Sequence, residues 1–219
     1  MNVALTLAVS LFLVSGAIGV YASLTGREKL LVVFKPLTTA LLLAVVGWPQ
    51  SRFAWLVVIG IIFSLGGDVA LLFRAKNGFL IGLGLFLVTH ACYIAAFLGV
   101  ASARGSSAWS PGVLVPALVM VAVTGALLRK LWPGASGLRA PLVGYAAALA
   151  LMVVSAFAAQ GPGGVAASAA AGAVCFYVAD CSLALDRFAR PIKYAPLLTL
   201  GLYWLGQLGI AVAIRGFGG

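Results

Sequence analysis

Residues 53–73 of the chain read FAWLVVIGIIFSLGGDVALLF, an apolar run of 21 residues that carries a single ionisable side chain, Asp68. A helix needs about 20 apolar residues to cross the hydrocarbon core of a bilayer. The run therefore predicts a membrane-spanning helix. Because an ionisable side chain at that depth costs at least ~2.5 kcal/mol, we expect Asp68 to face a cavity or a partner rather than lipid.

Seven further apolar runs of similar length lie before and after this one. The breaks between them contain turn-forming residues, such as Trp48-Pro49, Ser110-Pro111-Gly112 and Gly161-Pro162-Gly163-Gly164. The pattern predicts an all-α polytopic membrane protein with about eight transmembrane helices in a single domain, residues 1–219. The predicted helices are 2–23, 30–48, 53–73, 78–99, 112–131, 140–160, 164–185 and 194–214.

The composition supports a membrane protein and argues against several other classes. Charged residues make up 8% of the chain and hydrophobic residues 63%, and a soluble domain of this size cannot bury so much apolar surface. The net charge is +10, but the basic residues stand singly or in pairs, so we expect no nucleic-acid partner. Cys92, Cys175 and Cys181 lie inside apolar runs without metal-ligand spacing, so we expect no metal and no cofactor.

The basic residues predict the orientation of the chain in the membrane. Loops 1–2, 3–4, 5–6 and 7–8 carry ten of them, against three on the other side. Under the positive-inside rule the first set of loops is cytoplasmic and both termini are outside. We expect the bacterial inner membrane as the location. The ten residues are Arg27, Lys29, Arg74, Lys76, Arg129, Lys130, Arg139, Arg187, Arg190 and Lys193.

The two halves of the chain resemble each other weakly. Gly84-Leu85-Phe86 in the fourth run is similar to Gly201-Leu202-Tyr203 in the eighth, and Asp68 and Asp180 occupy similar places in the third and seventh runs. A parallel four-plus-four duplication would explain this pattern. Chance similarity among helices rich in Ala, Gly and Leu explains it nearly as well.

Four ionisable side chains lie inside the predicted spans: Lys35, Asp68, His90 and Asp180. At a rise of 1.5 Å per residue, three of them lie about 8 Å from the cytoplasmic end and His90 lies about 18 Å deep. We expect them to line one pocket that opens to the cytoplasmic leaflet, with a polar outer end and an aromatic inner end. Such a pocket suits an amphiphile.

Helical spacing places further polar side chains on the faces that carry these residues, because residues three or four apart share a face. Tyr177, for example, precedes Asp180 by three residues. From this spacing and the charge of Lys35 we predict a set of substrate-binding side chains. They are Lys35, Ser64, Tyr93, Tyr177, Tyr203 and Gln207.

Each of these residues also has a purely structural interpretation. Lys35 could extend its ammonium to the interface or pair with Asp68, and His90 could be a packing residue. Asp180 could be interfacial, since it lies close to Asp186 and Arg187, which we expect to be solvated. The conjunction of two acids, a base and a cation at compatible depths favours a functional site.

Two carboxyl groups in a pocket of low dielectric need not share a protonation state, so one can act as an acid while the other acts as a base. Hydrolysis of an acid-labile bond requires such a pair. The chain contains no serine-hydrolase elbow, no HExxH or CxxC motif and no phosphate-binding loop. We therefore predict Asp68, Asp180 and His90 as the catalytic residues.

Four short motifs, taken in order and with their spacing, resemble the YhhN-like family, which includes the lysoplasmalogenases. The resemblance covers roughly residues 5–214, with Ala179 before Asp180 as a mild departure. The motifs are Phe34-Lys35-Pro36-Leu37-Thr38, Ser64-Leu65-Gly66-Gly67-Asp68, Phe86-x3-His90-x2-Tyr93 and Asp180 followed by Ser182-Leu183-Ala184.

The resemblance implies hydrolysis of the sn-1 vinyl ether bond of lysoplasmalogen, which releases a fatty aldehyde and a glycerophospho head group. The implied partners are a lyso-lipid substrate and membrane lipids. A vinyl ether is cleaved by protonation of its β carbon and capture of the oxocarbenium ion by water. In that reaction Asp68 and Asp180 would divide the acid and base roles, in an order that the sequence leaves open. His90 or Tyr93 would orient water or the ether oxygen, and Lys35 would attract phosphate or set the pKa values of the carboxyl groups.

A second hypothesis is a proton-coupled transporter or a lipid-translocating protein, since intramembrane Asp and His residues also form proton relays. An intramembrane aspartyl protease would rest on the two aspartates alone. The sequence leaves the head group, the chain length and the oligomeric state open.

Overall fold

The computed structural model describes residues 3–73, 76–160 and 167–217, except for the side chain of Lys76. The described residues form helices and contain no strand, which confirms the predicted all-α class. The helices are α1 (Val3–Leu24), α2 (Glu28–Val46), α3 (Arg52–Leu72), α4 (Lys76–Ala103), α5 (Pro111–Leu131), α6 (Arg139–Ala158), α7 (Ala167–Phe188) and α8 (Leu202–Phe217), with a π-helical segment, Leu197–Gly201, directly before α8.

Eight helices within the described residues are long and apolar enough to cross a membrane. Large apolar side chains cover their outer surfaces, for example Leu118 at 69% and Val121 at 73% exposure on α5. Such a surface is stable only against lipid. The chain is therefore a multi-pass integral membrane protein, as predicted.

The helix ends differ from the prediction by three residues or more in four places. α4 continues to Ala103 and α7 to Phe188, because a helix satisfies its own backbone hydrogen bonds and need not end where the apolar run ends. The last span begins at Leu197 with a π-helical turn rather than at residue 194, and it ends at Phe217 rather than at residue 214. The predicted loop residue Arg74, the break at 161–164 and the first residue of the first run lie outside the described residues.

Glycines bring α7 and α8 into close contact. A Cβ atom added to Gly172 would lie 2.6 Å from the carbonyl oxygen of Gly206, and one added to Gly206 would lie 2.7 Å from the carbonyl oxygen of Gly172. Gly209 approaches the carbonyl oxygen of Ser168 in the same way. Small residues at such contacts let the backbones approach and so gain van der Waals packing, which drives helix association in lipid.

The helices pack as four hairpins, with α1 on α2, α3 on α4, α5 on α6 and α7 on α8. In addition α4 packs on α6 and α8 packs on α2, contacts that the proposed four-plus-four duplication would relate to each other. The duplication itself remains a prediction. This arrangement places the polar residues of α2, α3, α6 and α7 around one interior cavity.

Candidate active site

A cavity of about 360 Å³ opens at the end of the bundle that carries loops 1–2, 3–4, 5–6 and 7–8. Both Asp68 and Asp180 line it, although α3 and α7 are distant in sequence. Arg187, which is exposed, also lines the cavity, so the cavity reaches the protein surface. Most of the remaining wall is apolar, as a lipid-binding site requires.

Asp68 is enclosed by donors from α2 and α8. Its Oδ2 atom accepts hydrogen bonds from the hydroxyl groups of Thr39, at 2.5 Å, and Tyr203, at 2.9 Å. The ammonium of Lys35 lies 3.6 Å from Oδ1. The Trp204 indole donates to Thr39 Oγ1 at 3.2 Å, which orients the threonine hydroxyl toward the carboxylate. Asp68 is 1% exposed and Lys35 7%, so both side chains are largely buried although they line the cavity.

A chain of hydrogen bonds continues inward from Tyr203. The Gln207 amide nitrogen donates to Ser64 Oγ at 2.6 Å and lies 3.5 Å from the Tyr203 hydroxyl. The Tyr93 hydroxyl donates to the Gln207 carbonyl oxygen. Ser64, Tyr93 and Gln207 are fully buried and are not among the described residues that line the cavity. That these three residues contact substrate remains a prediction. In the structure they form a hydrogen-bonded group behind the cavity wall that contacts Tyr203 through Gln207.

Asp180 is contacted from α6 and α4. The Tyr145 hydroxyl donates to Asp180 Oδ2 at 2.6 Å, and His90 Nε2 lies 3.9 Å from the same oxygen. The His90 ring packs edge-to-face against Tyr145 and Phe176 at 5.1 and 4.9 Å between ring centroids. The Nε2 atom of His90 is buried without a hydrogen-bond partner among the described residues.

The end of α7 explains why His90 meets Asp180. The predicted helix ended five residues after Asp180, whereas α7 continues for eight, to Phe188. Asp180 therefore lies about 12 Å from the end of its helix, one turn deeper than expected. Asp68 lies four residues from the end of α3.

The π-helical segment contributes a further polar atom to the cavity wall. Thr199 lies in this segment and lines the cavity, and its buried hydroxyl has no hydrogen-bond partner among the described residues. Single π-helical turns occur frequently at functional sites. One turn later Tyr203 reaches Asp68, so the segment sets the register of the side chains that face the cavity.

The structure brings five of the predicted site residues to the cavity wall and leaves four behind it. The five are Lys35, Asp68, Tyr177, Asp180 and Tyr203, and the four are Ser64, His90, Tyr93 and Gln207. The Tyr177 hydroxyl lies 2.9 Å from Thr124 Oγ1 on α5, so it is engaged away from the aspartates.

Sequence reasoning missed Tyr145 and Thr39 as partners of the two aspartates. A search for tyrosines inside the predicted spans would have found Tyr145, and Thr39 stands one turn after Lys35 on the same helix face. Within the described residues no group of three or more His, Cys, Asp or Glu side chains could hold a metal ion.

Comparisons with known proteins place the chain among named relatives. It is 31% identical to human lysoplasmalogenase TMEM86A over 163 residues, which are 72% of the chain and 64% of that protein. It is 33% identical to the lysoplasmalogenase of Mycobacterium tuberculosis over 171 residues, which are 76% of the chain and 63% of that protein. The chain thus covers less than two thirds of the length of these relatives.

No solved structure matches the chain. The model of the YhhN family matches residues 30–214, a range that contains both aspartates and all the side chains that contact them. Because this match covers most of the sequence, the chain belongs to the YhhN family.

Proposed function

We propose that the protein is an intramembrane hydrolase that cleaves the vinyl ether bond of lysoplasmalogen. The observation that carries the proposal is the position of Asp68 and Asp180 in the wall of one apolar cavity, each with a tyrosine hydroxyl on its carboxyl group. The names of the relatives, which are lysoplasmalogenases, support the same substrate class.

The reaction needs one group that delivers a proton to carbon and one that accepts a proton from water. Protonation of the β carbon converts the vinyl ether into an oxocarbenium ion. Water then adds to the adjacent carbon and loses a proton, which gives a hemiacetal. The hemiacetal collapses to the aldehyde when the glycerol oxygen takes up a proton and the hemiacetal hydroxyl loses one. Two carboxyl groups that exchange roles complete this cycle without a cofactor.

The surroundings of the two aspartates suggest how they divide these roles. Asp68 faces the Lys35 ammonium and accepts two hydroxyl hydrogen bonds, and each of these contacts stabilises a negative charge on the carboxyl group. Asp180 has one hydroxyl donor and no lysine or arginine within ion-pair distance among the described residues. We therefore assign Asp180 as the acid that protonates carbon and Asp68 as the base that activates water.

Lys35 and His90 support these roles at different places. The Lys35 ammonium lies 3.6 Å from Asp68 Oδ1 and is almost fully buried, so it balances the carboxylate charge rather than contacting a head group at the surface. His90 Nε2 lies 3.9 Å from Asp180 Oδ2, beyond hydrogen-bond distance, and has no hydrogen-bond partner among the described residues. A buried polar group without a partner is costly, and hydrogen bonding to a bound water beside Asp180 would remove that cost.

The decisive experiment measures aldehyde release from defined lysoplasmalogen by purified protein in detergent, with ester lysolipids as the comparison. Asp68→Asn and Asp180→Asn should each lower turnover by at least ~10²-fold, the low end for acid–base groups. Glu28→Gln, which changes an exposed acid outside the cavity, is the matched control. Circular dichroism and gel filtration establish that each variant is folded.

Two results would refute the proposal. Near-normal turnover of either folded Asn variant would remove the aspartate pair from the mechanism. Gradient-dependent lipid or proton flux in liposomes, without any aldehyde from wild-type protein, would instead favour the transporter hypothesis.

A further inference from the structure

We infer that Arg187 binds the phosphodiester group of the substrate at the mouth of the cavity and so selects lyso-lipids that carry a phosphate. The inference rests on the proposed function, because it assigns the head-group end of the same site. It replaces Lys35 as the phosphate-binding residue, since the Lys35 ammonium lies within 3.6 Å of the Asp68 carboxylate.

The position of Arg187 on α7 matches the length of the substrate. Arg187 follows Asp180 by seven residues, which is two helical turns, so both side chains leave the same face of the helix about 10 Å apart along its axis. In a lysoplasmalogen the ether oxygen and the phosphorus atom are five covalent bonds apart, a span of about 6 Å at ordinary bond lengths. The flexible arginine side chain covers the difference, so the vinyl ether can lie beside Asp180 while Arg187 contacts the phosphate.

Aromatic packing holds the guanidinium group without consuming its hydrogen-bond donors. The Arg187 Cζ atom lies 3.6 Å from the centre of the Phe79 ring and 5.8 Å from that of Phe188. Stacking on an aromatic face leaves the edge of the guanidinium free, and that edge matches the paired oxygens of a phosphate. Arg187 donates no hydrogen bond and forms no ion pair to any side chain that the structure describes.

The mouth of the cavity carries an acidic side chain beside Arg187. Asp186 also lines the cavity, and its Oδ1 atom accepts a hydrogen bond from the backbone N–H of Ile192 at 2.7 Å. This contact ties the start of loop 7–8 to the end of α7. One basic and one acidic side chain thus stand side by side at the mouth, an arrangement suited to a head group with both signs of charge.

The test compares two vinyl ether substrates that differ only in the phosphate, a lysoplasmalogen and the matching 1-alkenylglycerol. Arg187→Gln should raise KM for the lysoplasmalogen about 10-fold, the loss expected for a charge-assisted hydrogen bond. Neither kcat nor the KM for 1-alkenylglycerol should change more than about twofold. Arg187→Lys should have a KM for lysoplasmalogen between those of wild type and Arg187→Gln, because an ammonium keeps the charge but loses the paired geometry. Arg190→Gln, an exposed arginine three residues away that does not line the cavity, is the control and should behave as wild type.

The phosphate could also belong to a bilayer phospholipid rather than to the substrate. In that case Arg187→Gln would change both substrates equally, or would lower thermal stability in phospholipid nanodiscs without a difference between substrates. Either result overturns the inference, and so does an equal effect of Arg190→Gln.

A binding measurement keeps the test independent of catalysis. The probes are a non-hydrolysable 1-alkyl lysophospholipid and the matching 1-alkylglycerol, titrated into wild-type protein and Arg187→Gln. The inference predicts that the variant loses about 10-fold in affinity for the first probe only. If wild-type protein hydrolyses no vinyl ether but this difference is present, the proposed function fails while the phosphate site stands. If the difference is absent, the phosphate site fails whatever the activity.

Discussion

Removal of a single hydroxyl group, in Tyr145→Phe, tests the role of Asp180 most directly. The Tyr145 hydroxyl donates to Asp180 Oδ2 at 2.6 Å, and the ring packs edge-to-face against His90 at 5.1 Å. Phenylalanine keeps the ring contact and removes only the hydrogen bond. The variant therefore separates the positioning of the carboxyl group from the packing around it.

The charge that forms on Asp180 sets the expected size of the effect. Asp180 becomes a carboxylate when it gives its proton to carbon, and a hydrogen bond to a charged group contributes about 1.5–3 kcal/mol. If the bond holds Asp180 in its reactive position, its loss should lower kcat by about 10- to 100-fold. KM should change little, because the hydroxyl contacts the carboxyl group rather than the lipid.

Tyr177→Phe is the matched control. Tyr177 also lines the cavity and stands one turn before Asp180, but its hydroxyl lies 2.9 Å from Thr124 Oγ1 on α5. Its loss should therefore lower kcat by less than about threefold, which corresponds to less than about 0.7 kcal/mol. The assay is the initial rate of aldehyde formation by mass spectrometry, with thermal melting of each variant. Equal kcat values for the two Phe variants, with both folded, would refute the assignment of Asp180.

Two further predictions concern the scaffold that holds the site. Gly206→Val should sharply lower the yield of folded protein and its Tm, because a Cβ atom there would lie 2.7 Å from the carbonyl oxygen of Gly172. The control, Gly84→Ala, should leave both unchanged, since no atom lies within 4 Å of the added Cβ. A normal melting curve for Gly206→Val would contradict the close contact. Gln207→Leu should destabilise the protein by about 1–3 kcal/mol, since it leaves the buried Tyr93 hydroxyl without its acceptor. If melting and turnover of this variant are unaltered, the inner hydrogen-bond chain contributes neither to stability nor to the position of Tyr203.

The sequence alone determined the class of the protein and the identity of its unusual residues. Apolar runs long enough to cross a bilayer form helices regardless of the segments that pack around them. Lipid offers no hydrogen-bond partners, so the backbone N–H and C=O groups of each run must bond to one another. The cost of burying a charge singled out Lys35, Asp68, His90 and Asp180 for the same local reason. Helix ends were less predictable: charged Asp186 and Arg187 suggested a loop, yet α7 continues through them to Phe188.

Only the tertiary structure decided which side chains meet. Tyr145 on α6 reaches Asp180 on α7, and Thr39 on α2 reaches Asp68 on α3, while Tyr93 and Gln207, expected at the cavity, lie behind it. Hydropathy reports how deep a residue lies but not the direction in which it points around the helix axis relative to another helix. That rotation is set by interhelical packing such as the glycine contacts of α7 and α8, which depends on shape complementarity between segments distant in the chain.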